Sequence, residues 1–330
     1  MQKQIIVQHE SGASYAINCK SGTSSAWQHQ PVEPLSEPIR RLLTHSLSAN
    51  SKRAYAADLA HFRASDRDIP CSPEVVAAYL AEIADDFAVA TIQRRLAAIA
   101  KAHRASGHDD PCRAEIVKAT MRGIRRIKGV AQREAQALQR DDLFALLERM
   151  GDRPIDIRDK ALLLTGFAAA FRRSELVGLD CEDVEHVRQG IVLHLRRSKT
   201  DQFGQGRKIA IPHGRTRWCP VRHLTDWIAH ARIEQGPIFR SIDRHGHISP
   251  DRLSGEAVAT ITKKRVAAAG FDPATFSGHS LRAGFATSAV MAGASTFKVR
   301  AQTGHKSDAM LGRYVRDGSL FTDNAAGTVL

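Results

Sequence analysis

The chain has 330 residues, a length that suits two domains of ordinary size. Its hydrophobic content of 43% is enough for packed cores, and no apolar run is long enough to span a membrane. The formal net charge of +13 indicates a polyanionic partner, for which nucleic acid is the commonest candidate. A generally basic surface without a specific partner is the alternative. We expect a cytoplasmic protein, because the first residues lack a signal-peptide pattern.

The five cysteines are scattered along the sequence, and no Cys-x-x-Cys pair occurs. An odd and scattered set argues against a disulfide framework and against a cysteine-rich zinc site. We expect most of these thiols to be buried in the cores.

The pattern of apolar residues divides the chain into four stretches. Residues 1–30 lack a clear period, which is typical of a flexible extension, with a short strand at residues 5–7. Residues 31–126 carry apolar positions at helical spacing and predict an all-α domain. Residues 127–138 contain few large apolar side chains and suit a linker. Residues 139–330 form the second domain.

Helix starts are marked in the first domain by serines. Ser48 or Ser51 can cap one helix, and Ser72, which a proline follows, can cap the next. Two later helices carry basic residues on the side opposite to their apolar positions. Such a side is either only solvated or a phosphate-binding surface. The arginines expected to contact DNA here are Arg94, Arg95, Arg122, Arg125 and Arg126.

The second domain is predicted to begin at Asp141 and Asp142, which can cap a helix. A strongly apolar helix follows over residues 158–170. Residues 191–195 and 208–212 predict two strands, and the polar, glycine-containing segment between them predicts a β-hairpin tip that holds Lys199. The remainder of the domain is mainly helical. The fold is therefore mainly α with a small β-sheet.

Two pairs of residues with a spacing of three are candidates for phosphate binding. Arg172 follows an apolar run and has Glu175 three residues on, so a helix would place both on one face. His279 and Arg282 have the same spacing. Arginine suits phosphate because its planar fork binds two oxygens and stays charged. A structural ion pair and a surface pair are the alternatives for these two motifs.

A histidine and a late tyrosine complete the set. His305 follows a glycine, and Tyr314 is the only tyrosine after Tyr79. A tyrosine hydroxyl ionises near pH ~10, so as a nucleophile it needs a base and a positive pocket. A packing tyrosine with a satisfied hydroxyl is the alternative.

In their order along the chain, these motifs resemble the tyrosine recombinase (phage integrase) family, with the general layout of the Cre and Xer enzymes. The resemblance covers residues 139–320 and extends less specifically to the helical domain before them. The matching motifs are Arg172-Arg173-Ser174-Glu175-Leu176, Ser198-Lys199-Thr200, Gly278-His279-Ser280-Leu281-Arg282, Gly304-His305 and Arg313-Tyr314.

The resemblance implies a role for each matched residue. Arg172 and Arg282 would clamp the scissile phosphate of DNA, while His279 and His305 would hydrogen-bond its oxygens. Lys199 would protonate the leaving 5′ oxygen, and Glu175 would orient the arginine and histidine side chains. Tyr314 would attack and form a 3′-phosphotyrosine bond. Arg173 is added to the expected DNA contacts.

The resemblance also implies a fold and an assembly. A SAM-like, all-α core-binding domain would precede an α+β catalytic domain, and the two would clamp double-stranded DNA. Four protomers would assemble on DNA for site-specific recombination, integration or excision of mobile elements. Neither metal nor ATP is expected as a cofactor, because the covalent bond conserves the phosphodiester energy. The protein would be bacterial or phage-encoded, DNA-associated and without a membrane partner.

Three other functions stay open. A type IB topoisomerase cleaves and reseals one strand with a similar site, although the length and the helical first domain favour a recombinase. A non-catalytic DNA-binding protein would share the charge but has no need of every catalytic position. A metal phosphoesterase could use His245 and His247, yet no His-x-x-x-His motif or carboxylate cluster accompanies them.

Overall fold

The computed structural model has separate hydrophobic cores on the two sides of residue 133, so the chain forms two units, Met1–Arg133 and Glu134–Leu330. Each unit is therefore described by itself. The structure describes residues 4–8, 14–18, 30–32, 36–64, 66–130, 135–196, 206–305, 307–309, 311–312, 314 and 329.

Short strands precede the helices of the first unit. β1 (Gln4–Gln8), β2 (Ser14–Asn18) and β3 (Gln30–Val32) form an antiparallel sheet with β2 in the middle. β1 confirms the strand predicted at residues 5–7, and its Ile5 pairs with Ile17. The other two strands fall where the sequence lacks the apolar alternation that would predict them.

The helical part of the first unit begins after this sheet. Its helices are α1 (Glu37–His45), α2 (Ala49–Arg63), α3 (Pro73–Glu82), α4 (Val89–Ala105) and α5 (Glu115–Lys128). Two predicted caps are confirmed, because the hydroxyl oxygens of Ser48 and Ser72 accept hydrogen bonds from backbone N–H groups three residues on. The fully buried side chains of Phe62, Tyr79 and Ile92 lie in the core between α2, α3 and α4.

Arg95 requires a correction, because it lies in this core and not on the basic surface. Its side chain is 7% exposed, and its guanidinium carbon lies 3.8 Å from the centroid of the Phe87 ring. Its Nη1 donates to the Tyr79 hydroxyl at 3.0 Å. The reason is helical spacing: position 95 falls between Ile92 and Ile99 on the apolar face of α4. A guanidinium held in this way is not available to DNA.

The other arginines proposed in this unit lie at its surface. Arg94 donates from Nε and Nη2 to the buried carboxylate of Asp58, at 2.8 and 2.9 Å, but its side chain remains 48% exposed. The side chains of Arg122, Arg125 and Arg126 are exposed on α5. They therefore remain candidates for phosphate contacts.

The second unit combines helices with small antiparallel sheets. Its helices are α6 (Arg140–Glu148), α7 (Pro154–Ala168), α8 (Arg173–Val177), α9 (Pro220–His230), α10 (Gly255–Ala268), α11 (Ser280–Met291) and α12 (Thr296–Thr303). Its strands are β4 (Val184–Val187), β5 (Gly190–Leu195), β6 (Arg207–Pro212), β7 (Arg240–Ile242) and β8 (Ile248–Arg252). β5 lies between β4 and β6, and β7 pairs with β8.

The predicted strands at residues 191–195 and 208–212 are confirmed as β5 and β6, whereas two helix boundaries were wrong. Asp141 and Asp142 lie in the first turn of α6, and Gln139 precedes it as the N-cap residue. The apolar helix was predicted over residues 158–170, whereas α7 ends at Ala168, so Arg172 does not directly follow it. It is instead the N-cap residue of α8. The apolar run continues past α7 because residues 169–171 are themselves buried.

Helix α7 is the central element that positions the site. Residues 161–164 on successive faces are at most 2% exposed, so α7 is buried all round. Near its end, Gly166 approaches two neighbours closely: an added Cβ would lie 2.9 Å from Leu176 and 3.0 Å from Leu281. Leu176 belongs to α8 and Leu281 to α11. The end of α7 therefore brings together the two helices that carry Arg172 and Arg282.

The backbone that enters the second unit lies directly against α11. Leu138 donates its N–H to the carbonyl of Ser280 at 3.0 Å. A Cβ added at Gly284, one turn further along α11, would lie 1.7 Å from the Leu138 carbonyl oxygen. Only a glycine fits at position 284, because the obstacle is backbone that no rotamer change can move.

Substitution of Gly284 by alanine should therefore destabilise the second unit. We expect Gly284→Ala to lower the free energy of unfolding by at least about 2 kcal/mol, the usual order of overpacking costs. Gly123→Ala in α5 is the matched control, since nothing lies within 4 Å of its added Cβ. The control should stabilise its helix by about 0.5–1 kcal/mol. Thermal and urea unfolding of both variants would check this, and equal midpoints would contradict it.

Candidate active site

Arg172 is held by a reciprocal pairing with Glu175 at the start of α8. The backbone N–H of Arg172 donates to Glu175 Oε2 at 2.9 Å, and its guanidinium Nη1 donates to Oε1 at 2.6 Å. Glu175 is 4% exposed. A buried carboxylate that accepts from both groups fixes the orientation of the guanidinium. The ion pair that the sequence offered as an alternative is therefore present, although Arg172 precedes α8 and does not lie on a face of it.

Arg282 lies in the first turn of α11 and is 1% exposed. Its Nη1 donates to the Ala170 carbonyl at 2.7 Å, and its Nη2 lies 3.3 Å from His305 Nε2. Ala170 has a positive φ of 52°, a backbone state that costs energy for a residue with a Cβ. Burial, with a contribution from neighbouring Arg172, lowers the pKa of Arg282 to about 10. The guanidinium therefore stays charged at neutral pH.

His305 follows α12 directly and is held on both ring nitrogens. Its Nδ1 lies 2.8 Å from the Thr303 hydroxyl, which itself donates to the Val299 carbonyl at 2.8 Å. The hydroxyl therefore accepts from Nδ1–H, and Nε2 is left as the acceptor that faces Arg282. Burial and the charge of Arg282 lower the pKa of His305 to about 4, so the imidazole is neutral at pH 7.

Tyr314 meets His279 at the edge of this arrangement. The Tyr314 hydroxyl oxygen lies 2.8 Å from His279 Nε2, and the Tyr314 ring lies 5.8 Å from the His305 ring. Tyr314 is 5% exposed and packs with Val299 and Leu311. His279 is the N-cap residue of α11 and is exposed. An unprotonated imidazole nitrogen at this distance can accept the hydroxyl proton.

Arg207 belongs to the same site, and no sequence pattern pointed to it. It is the first residue of β6, and its Nη2 lies 3.8 Å from Glu175 Oε2. Its Nη1 donates to the Gln302 carbonyl at 3.1 Å, at the end of α12. An arginine at the start of a strand after a polar hairpin is ordinarily a solvated residue. Only the packing of β6 against α12 places it here.

Two further predicted residues lie at or beyond the edge of the described site. Arg173 is 50% exposed along its side chain, 3.8 Å from Glu256, and its Cδ would be 3.3 Å from a Cβ at Gly278. This glycine therefore leaves room for Arg173 beside the His279 turn. Lys199 lies outside the described residues, within the segment that joins β5 to β6.

The side chains of the site carry more positive than negative charge. Arg172, Arg207 and Arg282 contribute three guanidinium groups, and Glu175 contributes one carboxylate. The charge of Arg172 depresses the pKa of both Arg207 and Arg282, and all three arginines depress that of His305. Repulsion of this kind is relieved by an anion, and planar guanidinium groups fit a phosphate best. The arrangement can therefore bind a phosphodiester beside the Tyr314 hydroxyl.

The histidines considered for a metal site have a local structural role. His245 and His247 lie in the turn between β7 and β8, and His247 Nδ1 lies 3.0 Å from Asp243 Oδ2. Among the described residues, no group of three or more His, Cys, Asp or Glu side chains could hold a metal ion. In the same part of the chain, no helix is long and apolar enough to cross a membrane.

A family comparison agrees with this site. The profile of the phage integrase family matches residues 136–319, more than half of the chain. The chain therefore belongs to the phage integrase family, the site-specific tyrosine recombinases. It is 41% identical over 305 residues to an "Integrase/recombinase xerD homolog" of Selenomonas ruminantium, with 89% of each chain covered. The "Tyrosine recombinase XerD" of Xanthomonas axonopodis pv. citri is 31% identical over 52% of this chain.

Solved structures share the fold at low sequence identity. A lambda integrase dimer bound to a COC′ core site matches with a TM-score of 0.63 and 16% identity, over 94% of each chain. The XerH recombinase in a post-cleavage complex matches with a TM-score of 0.61 and 17% identity, over 83% of this chain and 78% of its own. The mainly helical fold with small sheets and the family recognised from the sequence are confirmed.

Acid should destabilise the second unit through His305. Its pKa is about 4 in the folded protein against an ordinary value of 6.5, so the unfolded chain binds more protons between these values. Stability therefore falls as the pH is lowered from about 6.5 to about 4. Thermal unfolding across this range should show a weaker pH dependence for His305→Gln than for the parent protein. The control His245→Gln, at an exposed turn, should keep the parental slope, and identical slopes for all three proteins would refute the assignment.

Proposed function

We propose that this recombinase cleaves and rejoins double-stranded DNA through a covalent bond between Tyr314 and a 3′ phosphate. The observation that carries the proposal is the 2.8 Å contact of the Tyr314 hydroxyl with His279 Nε2, beside the guanidinium groups of Arg172 and Arg282. A nucleophile, a proton acceptor and phosphate-binding cations are the groups that the reaction needs.

In the proposed first step, the Tyr314 oxygen attacks phosphorus and its proton passes to His279 Nε2. A bond forms between the tyrosine oxygen and phosphorus, and the bond to the 5′ oxygen breaks. Lys199 is proposed to protonate that leaving oxygen. Arg172 and Arg282 bind the non-bridging oxygens, where negative charge accumulates in the transition state. The reverse reaction with a new 5′ hydroxyl rejoins the strand.

His305 has to change its hydrogen bonding when phosphate binds. In the structure its Nε2 accepts from Arg282, so it cannot donate to a phosphate oxygen in this state. A bound phosphate would attract the guanidinium of Arg282 and raise the pKa of His305 by placing negative charge beside it. We propose that His305 takes up a proton on binding and then donates from Nε2.

Double-stranded DNA and further copies of the chain are the proposed partners. Similar structures include XerH bound to a palindromic difH substrate and a lambda integrase tetramer bound to a Holliday junction. By analogy, four protomers of this chain would assemble on two DNA sites in the cytoplasm. A two-site recombination assay beside a plasmid-relaxation assay would test this, since relaxation without recombination would favour a topoisomerase.

Surface arginines are proposed to hold the DNA backbone. Arg94, Arg122, Arg125 and Arg126 are exposed in the first unit, and Arg173 is exposed beside the site. Buried Arg95 is no longer in this set. Contacts of this kind bind phosphates irrespective of sequence and release counterions.

The double variant Arg125→Ala/Arg126→Ala should weaken duplex binding through lost phosphate contacts. The slope of log affinity against log salt should become shallower by about 2, or about 1 per contact. Arg95→Met is the contrasting variant, which should lower stability and leave the salt slope of the folded protein unchanged. Fluorescence anisotropy across a salt series would measure both slopes. A parental slope in the double variant would exclude these two residues from the interface.

Tyr314→Phe should bind DNA normally and form no covalent complex, because it loses only the nucleophilic oxygen. With a nicked suicide substrate in EDTA, the parent protein should give an SDS-resistant adduct joined through the 3′ end of the DNA. Tyr55→Phe, a partly buried tyrosine of the first unit, is the matched control and should retain the adduct. An adduct formed by Tyr314→Phe, or an absolute requirement for divalent metal, would overturn the mechanism.

A further inference from the structure

Arg207 is fixed at the point where three parts of the site meet. It is the first residue of β6, where it pairs with Leu195 of β5. Its Nη1 donates to the Gln302 carbonyl at 3.1 Å and lies 3.4 Å from that of Ala301. Its Nη2 lies 3.8 Å from Glu175 Oε2. One side chain thus touches the β5–β6 hairpin, the end of α12 and the carboxylate that holds Arg172.

The contact with α12 bears directly on His305. Carbonyl groups in the last turn of a helix lack intrahelical partners, and a guanidinium there satisfies them and opposes the helix dipole. Gly304 ends α12 with a positive φ of 67°, and a Cβ at this position would lie 2.4 Å from Arg207 Nη1. The absence of a side chain at residue 304 therefore leaves the space that Arg207 occupies. His305 is the next residue, so its position depends on this packing.

The contact with Glu175 is incomplete. Within the described part of the chain, the buried Nη2 of Arg207 has no hydrogen-bond partner. Burial lowers the pKa of Arg207, as does the charge of Arg172, whereas Glu175 opposes this shift. A buried cation that lies just beyond hydrogen-bond distance of a carboxylate is costly. Proteins keep an energetically unfavourable side chain of this kind where it has a role in another state of the site.

The phosphate-bound state of the site is the one in which Arg207 would be needed. Glu175 Oε1 holds Arg172 Nη1 at 2.6 Å, and a bound phosphate would compete for that same guanidinium. If the Arg172 guanidinium turns toward phosphate, the negative charge of the Glu175 carboxylate, which is 4% exposed, loses its nearest positive partner. Arg207 Nη2 is the nearest described cation that could then close on Glu175 Oε2, since a shift of roughly 1 Å makes a hydrogen bond.

We propose that Arg207 is a positioning residue of the recombination site. It holds in place the His305 turn, residues 304–305 after α12, and it balances the negative charge of Glu175 when Arg172 binds the scissile phosphate. The proposal rests on the proposed function for the second role only. We assign Arg207 no contact with the reacting atoms, because its Nη2 is buried and its polar neighbours are the end of α12 and Glu175. Its place at the start of β6 also ties the strand that follows Lys199 to the phosphate pocket.

The test compares Arg207→Met, Arg207→Lys and the control Lys208→Ala, whose side chain is exposed on the same strand. Single-turnover cleavage of the suicide substrate at saturating protein should be about 10- to 100-fold slower in Arg207→Met, with duplex affinity unchanged. Arg207→Lys keeps the charge but not the fork, so it should recover only part of the rate. Added guanidinium ion should accelerate Arg207→Met and leave Lys208→Ala unaffected.

A second readout does not depend on cleavage. The imidazole of His305, followed by NMR on the protein without DNA, should titrate at a higher pH in Arg207→Met, because one of the cations that depress its pKa is gone. Arg282, Arg172 and His279 remain as the other charged or titratable neighbours. A failure of the parent protein to form an adduct would refute the proposed function, whereas an unchanged His305 titration would refute the role of Arg207. Parental cleavage by folded Arg207→Met would refute it equally.

If Arg207→Met does not fold, Arg207→Lys, whose charge and stem remain in the cavity, carries the cleavage comparison, and Arg207→Gln carries the His305 titration because it removes the charge. Folding of each variant is checked by its thermal midpoint. A double variant with Gly304→Ala provides a further constraint. An alanine at residue 304 would displace the Arg207 side chain. The loss of cleavage rate in the double variant Gly304→Ala/Arg207→Met should therefore be smaller than the sum of the losses in the two single variants. Additive effects would overturn the link between Arg207 and the His305 turn.

Discussion

The buried carboxylate of Glu175 is the interaction on which the site depends. It is 4% exposed and accepts from the backbone N–H of Arg172 through Oε2 and from its guanidinium through Oε1, and Arg207 Nη2 lies 3.8 Å from Oε2. Three guanidinium groups could not lie so close together in a protein interior without a negative charge among them. One carboxylate offsets only part of that repulsion. The positive charge that is not offset favours the binding of an anion such as phosphate.

The same arginines set the protonation of His305. Burial and nearby arginines keep His305 neutral, which removes one cation from an already crowded pocket. The Tyr314 hydroxyl lies 2.8 Å from Nε2 of the exposed His279. In the proposed function, a phosphate bound by Arg172 and Arg282 would add the missing negative charge beside the Tyr314 oxygen.

The scaffold meets these demands through close backbone packing. Gly166 lets α8 and α11 meet at the end of α7, and Gly284 lets the backbone at Leu138 cross α11. Ala170 adopts a left-handed conformation and accepts a hydrogen bond from Arg282 through its carbonyl. Helices packed this tightly have little freedom to rearrange. The arginines are thereby held in place before DNA arrives, so little of the binding energy is needed to order them.

The sequence alone determined the features that depend on local order along the chain. Serine caps, the strands β5 and β6 and the family itself follow from spacing and motif order, because neighbouring residues fix these features. Tertiary structure decided the rest. Arg95 entered a core, and Arg207 entered the site from the start of a strand. The local sequence does not decide whether a long charged side chain such as arginine is solvated or buried, because its stem is apolar and its head is charged. The surfaces that pack around it decide.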